Sequence, residues 1–351
     1  MLCFAALIFA VALPGLGQTA ASAAPGLPKD PREVFAMAAP YYDFADPALK
    51  PFHIKATYQL YDEKGKLLEQ GTFEYWWASP PVYRATWTRP GATHTDWYTA
   101  DGKHAYLVTG EPLSFFEHKL SGALFSPLPD AADLDPAKVR LDRKTTSAGD
   151  NKPPCFMAIP VMAQQWRVQD VPLGLFPTYC FDSQLPVLRA SFSFGGITTG
   201  FNKVVRVWGK NLPREVLLFE GKRKILSATV DTIEGLNLSD PALTPPAEVP
   251  AQKAGTVHLA GGVMAGFLVR KEAPIYPQDA KDARLQGTVV LQAMIGMDGR
   301  IHDLRVVSAP APSLAESAVW AVSHWEYKPY LLAGQPVEID TTINVIFTLG
   351  G

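Results

Sequence analysis

Short apolar segments separated by tight turns fill most of residues 52–232, and this succession constrains the fold more than any other feature. Residues 52–61 lead into the polar turn Asp62-Glu63-Lys64-Gly65, and later segments are separated by turns such as Pro90-Gly91. Parallel pairing needs crossover connections of about a dozen residues or more, which these turns do not provide. The sequence therefore predicts an antiparallel sheet of about eight to eleven strands, with short helices at residues 32–41 and 113–124.

The chain contains enough apolar material for two domains, because 47% of its 351 residues are apolar and only 19% are charged. Residues 239–256 are rich in proline and small residues, which predicts a semi-rigid linker. That linker separates a first domain at residues 25–238 from a second at residues 257–351. The chain has a net charge of −2, whereas nucleic-acid binding requires a basic surface, so no nucleic-acid partner is expected.

The N-terminus has the order of a secretory signal peptide. Residues 2–13 are almost wholly apolar, Pro14-Gly15 follows, and small residues continue to Ala24. The apolar stretch is shorter than the roughly 20 residues that a membrane-spanning helix needs. We therefore predict a signal peptide at residues 1–24 and a periplasmic protein. No Lys or Arg precedes the apolar stretch, so an upstream start and an uncleaved inner-membrane anchor remain the alternative.

Two cysteines remain after the predicted signal peptide, Cys155 and Cys180. An even pair in an exported chain favours a disulfide, worth about 3 kcal/mol for a loop of this length, with two buried thiols as the alternative. Neither cysteine has a C-x-x-C neighbour or paired histidines nearby, so no metal site is predicted. The common hydrolase, metalloprotease and nucleotide-binding motifs are missing from the sequence, so no catalytic residue or cofactor is expected, and we predict a non-enzymatic protein.

Aromatic residues are concentrated in the strands predicted between residues 67 and 98. They are Tyr75, Trp76, Trp77, Tyr83, Trp87 and Trp97. Strand alternation places Trp76 on the face opposite Tyr75 and Trp77, so these three side chains cannot line one pocket. A core role is the favoured interpretation, and the lining of a lipid cleft is the alternative.

The first domain contains a set of characteristic strand and turn segments, which are Gly71-Thr72-Phe73-Glu74-Tyr75-Trp76-Trp77, Ser79-Pro80-Pro81, Tyr83-Arg84-Ala85-Thr86-Trp87, Asp101-Gly102-Lys103, and residues 213–218 through Ile233-Glu234. Through these segments the domain resembles the LolA and LolB fold group, half-barrel carriers of periplasmic lipoproteins. The resemblance implies a curved antiparallel half-barrel. It also implies an apolar groove between sheet and helices, with a lipid as its ligand.

The second domain is predicted to follow the order helix, strand, strand, helix, strand. Pro277 suits the first turn of the first helix, which runs to about residue 285. Residues 288–297 alternate as a half-buried strand, and Asp298-Gly299 predicts a two-residue type I′ hairpin into the next strand.

The rest of the second domain completes an α+β fold. Residues 313–316 read as a capping box that starts the second helix, and residues 337–349 alternate as the last strand. The prediction is a three-stranded antiparallel sheet with two helices.

Short motifs accompany this order of elements, and they are Tyr276-Pro277, Asp298-Gly299-Arg300, Trp325-Glu326-Tyr327-Lys328-Pro329, Gly334-Gln335-Pro336-Val337 and Ile343-Asn344-Val345-Ile346-Phe347. The order and the motifs together are similar to the TonB C-terminal domain over about residues 262–350. In the TonB family the last strand pairs with the TonB box of an outer-membrane transporter. The resemblance implies a receiving edge made by Ile343, Asn344, Val345, Ile346, Phe347, Thr348 and Leu349. Trp325 and Tyr327 are expected to be core anchors more than ligand contacts.

The resemblance implies a periplasmic TonB-family protein that docks an outer-membrane TonB-dependent transporter by strand addition and supports energy-coupled transmembrane transport. Energy transducers of the family also need an inner-membrane helix that engages ExbB and ExbD. Here a folded domain takes the place of the usual extended spacer, so engagement of ExbB and ExbD stays an open expectation. The alternative function is a periplasmic lipid or lipoprotein carrier whose second domain localises it.

Overall fold

The computed structural model describes residues 26–145, 153–163, 165–253, 256–332 and 334–349. The predicted signal peptide at residues 1–24 lies outside these ranges. Within them, no helix combines the length and the apolar character that crossing a membrane would require.

The first domain is built on one open antiparallel sheet. Its elements are α1 (Pro31–Ala38), β1 (Phe52–Tyr61), β2 (Leu67–Ser79), β3 (Val82–Arg89), β4 (Ala92–Tyr98), β5 (Lys103–Thr109), α2 (Phe115–Phe125), β6 (Val139–Lys144), β7 (Cys155–Pro160), β8 (Thr178–Phe181), β9 (Leu188–Ser193), β10 (Ile197–Val207), β11 (Lys210–Glu220), β12 (Arg223–Gly235) and β13 (Ala251–Lys253). The strand order is β13-β5-β4-β3-β2-β1-β12-β11-β10-β9-β8-β7-β6. Strands that are adjacent in the sheet are consecutive in the chain, except where β12 joins β1 and β13 joins β5. The antiparallel sheet is therefore as predicted, with more strands.

The aromatic side chains mostly build the core of this domain. Burial alternates along β2, so Tyr75 and Trp77 are buried and pack around Phe52. Trp76 lies on the opposite face, where its ring stacks on His53 with centroids 4.5 Å apart. For Tyr75 and Trp77 the structure therefore supports the expected role in the core.

The segment predicted as a linker packs on the first domain. β13 pairs with the edge strand β5, with Ala251 opposite Ala105. The indole Nε1 of Trp97 donates to the Ala242 carbonyl at 3.0 Å, and Trp97 shares a small apolar cluster with Val249. These contacts cover part of the β5 edge of the large sheet.

The second domain has the predicted sequence of elements with additions. Its elements are β14 (Thr256–Leu259), α3 (Gly261–Ala265), β15 (Leu268–Arg270), α4 (Gln278–Asp282), β16 (Gly287–Ile295), β17 (Ile301–Ser308), α5 (Pro312–Ser323), β18 (Glu326–Tyr327), β19 (Leu331–Leu332), β20 (Gln335–Pro336) and β21 (Glu338–Phe347). The main sheet has the order β14-β21-β16-β17. The three predicted antiparallel strands are present, but the sheet has four strands because β14 adds in parallel to β21.

Local details of the second domain correct three expectations. Pro277 is the N-cap of α4 and not a residue of its first turn. A type I′ turn requires a positive φ at both of its central residues. Gly299 has a φ of 78°, but Asp298 does not have a positive φ, so the hairpin is not the predicted type I′ turn. Instead the Gly296 amide donates to the Arg300 carbonyl, which leaves a three-residue loop. Helix α5 begins at Pro312, so Ser313 is already helical and forms no capping box.

The two domains share an apolar core. All but the last residue of β7 are buried, so this strand is covered on both faces. Phe156 packs in the core of the first domain, whereas Met157 and Ile159 belong to the cluster that contains the core of the second domain. First-domain members of that cluster also include Trp166, Val171, Leu175, Phe176 and Phe194. The second domain is therefore docked on the first.

Among the residues that the structure describes, two ion pairs cross this interface. Arg305 lies 3.5 Å from Asp133, and His324 lies 3.4 Å from Glu220. The hydrogen bond with Glu220 is the main cause that raises the pKa of His324, and the same bond is the main cause that lowers the pKa of Glu220. Arg223 and Arg270 are the other charges that act on this pair.

The His324–Glu220 pair predicts a pH dependence of stability. A histidine with a raised pKa contributes its stabilisation fully below about pH 6.5 and loses it as pH rises through the folded-state pKa. We expect the loss of unfolding free energy in Glu220→Gln to be about 0.5 kcal/mol larger at pH 6 than at pH 9, because at pH 9 only the ion pair of Glu220 with Arg223 is left to lose. Urea unfolding at both pH values measures this difference. An equal loss at pH 6 and pH 9 would contradict the assignment.

Cys155 and Cys180 form a disulfide between the adjacent strands β7 and β8, at a sequence separation of 25. The bond closes a loop in the part of the sheet that carries the domain interface. We expect Cys155→Ala with Cys180→Ala to lower the free energy of unfolding by about 3 kcal/mol, because the unfolded chain gains entropy. Urea unfolding of the double variant tests this, with the wild-type protein under reducing conditions as the matched comparison.

Candidate strand-binding edge

The outer side of β21 is half covered by the chain itself. β16 pairs with β21 along its inner side, from Gly287 opposite Phe347 to Ile295 opposite Ile339. On the outer side β14 pairs only with the first part of β21, and the last of these pairs joins Leu259 and Thr341. Beyond Thr341 no strand among the described residues pairs with the outer side.

The backbone direction at Thr342 shows which groups face outward. A Cβ on Gly261 would lie 2.1 Å from the Thr342 carbonyl oxygen, so this carbonyl points away from β16 toward α3. In an antiparallel ladder, alternate residues present both N–H and C=O to the same side. Asn344 and Ile346 therefore present their backbone groups outward, and Ile343 and Val345 present theirs to β16.

The predicted edge residues divide by side-chain burial as well. Ile343, Val345 and Phe347 are buried under the sheet, whereas Asn344, Ile346 and Thr348 are exposed. The side chain of Ile346 is 68% exposed, which is high for a large apolar residue. The Leu349 amide donates to Gln286 Oε1 at 3.2 Å, so that amide is not available to a partner.

Tyr276 and Pro277 form a corner beside this edge. The Tyr276 ring packs edge-on against Phe347 with centroids 5.4 Å apart, and its hydroxyl donates to the Leu285 carbonyl. Pro277 follows as the N-cap of α4. The corner therefore supports the end of β21 from one side and contributes no group to its outer backbone.

Trp325, Tyr327 and Pro329 lie away from the outer side of β21. Trp325 is buried, and its indole Nε1 donates to the Glu272 carbonyl at 2.8 Å. Tyr327 is buried, and this burial raises the pKa of its hydroxyl. Pro329 is exposed. The first two are anchors of the second domain, in agreement with the expected core role.

An apolar cavity of about 490 Å³ lies between the first domain and β17. Phe176, Phe194 and Phe201 of the first domain and Leu304 and Val306 of β17 line it. Its charged lining residues are Lys119, Asp133, Asp303 and Arg305. Burial lowers the pKa of Lys119. An apolar groove is expected between the sheet and the helices of the first domain. The cavity seen here differs from it because the second domain closes one side.

Sequence reasoning missed the parallel strand β14, which limits the open part of the edge. The only signal for it is the four-residue alternation of Thr256–Leu259, in which Val257 and Leu259 are partly buried. Four residues that follow a proline-rich segment are too few to distinguish a strand from a linker.

Comparison with known proteins identifies the second domain. Residues 272–349 match the family model described as Gram-negative bacterial TonB protein C-terminal. Protein TonB of Klebsiella pneumoniae is 31% identical over 116 residues, which cover 33% of this chain and 44% of that protein. Protein TonB of Vibrio cholerae is 30% identical over 79 residues, 22% of this chain and 32% of that protein. The chain therefore spans less than half the length of these relatives.

Solved structures resemble each domain separately. The solution structure of the Pseudomonas aeruginosa TonB C-terminal domain covers 24% of this chain and 86% of its own, at 26% identity and a TM-score of 0.22. A LolA superfamily protein from Nitrosomonas europaea covers 61% of this chain and 97% of its own, at 9% identity and a TM-score of 0.37. At these scores the description of each domain rests on its own strand order.

The alternating backbone directions predict an exchange pattern along β21. Outward amides at Asn344 and Ile346 have no strand partner among the described residues, so they should exchange with solvent much faster than those of Ile343 and Val345. Amide hydrogen exchange followed by NMR measures all four rates in one experiment. Protection of Asn344 and Ile346 equal to that of their neighbours would show that the outer side is covered.

Proposed function

We propose that this chain is a periplasmic, non-enzymatic TonB-family protein that captures an extended segment of an outer-membrane TonB-dependent transporter on the outer side of β21. The single observation that carries the proposal is the open stretch of β21 after Thr341, in a domain that matches the TonB C-terminal family. Main-chain hydrogen bonds would supply most of the affinity, as in other strand-addition complexes.

The open stretch sets limits on what can bind. An incoming strand can pair with the backbone of Asn344 and Ile346 but must end where β14 leaves the sheet. The exposed Ile346 side chain would contact a side chain of the incoming strand on the same face. The partner segment in this proposal is therefore short and extended, with an apolar residue that packs against Ile346.

Whether the protein also couples to ExbB and ExbD depends on its N-terminus. An uncleaved N-terminal anchor would allow coupling to ExbB and ExbD, whereas cleavage at the predicted site would leave a periplasmic docking protein. Determining the N-terminal residue of the mature protein distinguishes these two versions. A start near Ala24 would remove coupling to ExbB and ExbD from the proposal.

A second candidate function is favoured by the cavity between the domains. Its volume of about 490 Å³ and its phenylalanine lining would suit an acyl chain, which is the ligand of a lipid or lipoprotein carrier. Native mass spectrometry of protein purified from the periplasm tests this function. A bound acyl lipid would support the carrier role, and protein free of lipid after mild purification would count against it.

Two substitutions at Ile346 distinguish capture through backbone hydrogen bonds from binding through side-chain contact. Ile346→Pro removes the outward N–H without removing a hydrogen bond to β16, so we expect binding of a synthetic TonB-box peptide to fall by about tenfold or more. Ile346→Ala keeps the N–H and should bind within about threefold of wild type, because backbone bonds carry the affinity. Isothermal titration calorimetry measures both.

Two observations control this experiment. NMR amide shifts of the wild-type protein should change along residues 342–348 on addition of the peptide, and the far-ultraviolet circular dichroism of Ile346→Pro should match wild type. A peptide that binds without shifts in this stretch, or that binds Ile346→Pro as tightly as Ile346→Ala, would overturn strand capture at β21.

A further inference from the structure

Four of the seven histidines in the chain meet at the interface between the two domains. His118 lies on α2 of the first domain, and His302 lies on β17 of the second. Their rings are 4.7 Å apart between centroids. His94 and His104 lie on β4 and β5 next to them and line the same cavity, which measures about 170 Å³.

Three of the residues around this cavity can act as ligands together. One donor atom from each of His118, Asp298 and His302 lies within 4.8 Å of the other two. His302 Nε2 lies 3.0 Å from Asp298 Oδ1. Donor atoms around a tetrahedral zinc ion lie roughly 3.3 Å apart, as follows from metal–ligand distances of about 2.0–2.2 Å. Small side-chain rotations would bring this trio to that spacing.

The protein holds the two second-domain ligands in place. The Arg300 amide donates to Asp298 Oδ1 at 3.0 Å, which fixes the carboxylate in the hairpin loop. A Cβ at position 296 would lie 2.3 Å from His302 Cε1, so only glycine leaves room for the His302 ring there. The ring and the carboxylate are therefore positioned by the hairpin itself.

His94, Asp96 and His104 lie beside the trio, and in this group a carboxylate bonds to histidine rings, as is usual around metal-binding histidines. His94 Nε2 lies 3.1 Å from Asp96 Oδ2, and Asp96 Oδ1 lies 2.9 Å from His104 Nε2. His94 is buried, and its Nδ1 has no hydrogen-bond partner among the described residues. Metal-binding histidines typically donate their other ring N–H to a carboxylate in this way. The His94 ring lies 5.6 Å from that of His118 and offers a further donor near the trio.

We propose that His118, Asp298 and His302 form a binding site for a transition-metal ion that joins the two domains. Two imidazoles and one carboxylate form a donor set that suits Zn²⁺ and similar ions better than Mg²⁺ or Ca²⁺, which prefer oxygen ligands.

Because the ligands come from both domains, ion binding favours the docked arrangement. An ion that binds only when the domains are docked stabilises that state by mass action. The site would thus act as a clamp that holds the TonB-type domain against the first domain. This inference does not rest on strand capture, since the ligands lie in β17, its hairpin and α2, and not on β21.

The test uses the full mature chain, first treated with a chelator and then titrated with Zn²⁺ by calorimetry. We expect one ion per chain and a rise in Tm on addition of Zn²⁺. His118→Ala and His302→Ala should each weaken binding by at least about tenfold, since loss of even an outer partner of a ligand commonly has that effect. Mg²⁺ should not bind at this site.

Two further variants keep the result interpretable. Asp298→Asn preserves the shape of the loop and the acceptor for the Arg300 amide, so it should lose Zn²⁺ affinity even if an alanine variant fails to fold. His258→Ala is the matched control, because this histidine is 70% exposed and lies on β14, which β21 and β16 separate from β17 in the sheet. Unchanged Zn²⁺ affinity in Asp298→Asn, or affinity lost in His258→Ala, would overturn the site.

Discussion

The shared core between the domains is the interaction on which the rest of the molecule depends. β7 is buried on both faces, with Phe156 packed in the first domain and Met157 and Ile159 packed in the cluster of the second. A strand of an open antiparallel sheet normally exposes one face to water. Undocking would expose the apolar side chains of β7, Phe176 and Phe194 to water together. This exposure costs a free energy of roughly 25 cal/mol for each Å² of apolar surface. The two domains should therefore behave as one unit unless a partner compensates for that loss.

Docking also determines where ligands can bind. The cavity near Phe201 is closed by Leu304 and Val306, and the histidine cluster is complete only because His118 and His302 come from different domains. The outer side of β21, in contrast, belongs to the second domain alone. Capture of a strand there needs no change at the interface, so the two kinds of site can be occupied at the same time.

The sequence predicts best those features that depend on neighbours along the chain. Alternation correctly placed Val289, Leu291, Ala293 and Ile295 on the buried side of β16, because strand geometry has a period of two residues. The capping box failed for an equally local reason: Pro312 is favourable at the first helical position, so α5 starts there and Ser313 cannot act as the N-cap. What could not be predicted depends on contacts between distant residues. Neither the parallel pairing of β14 nor the approach of His118 to His302 leaves a periodic signal.

The two ends of β21 illustrate how one strand combines predicted and unpredicted features. Its buried residues Ile339, Ile343 and Val345 follow from alternation alone. The half-covered outer side follows from Gly261, whose missing Cβ lets the chain turn away against the Thr342 carbonyl and end the parallel pairing. A larger residue at position 261 would push α3 away from β21 and change the length of the open edge. The length of strand that a partner can add is therefore determined by a residue outside the strand, in the segment that directly follows the predicted linker.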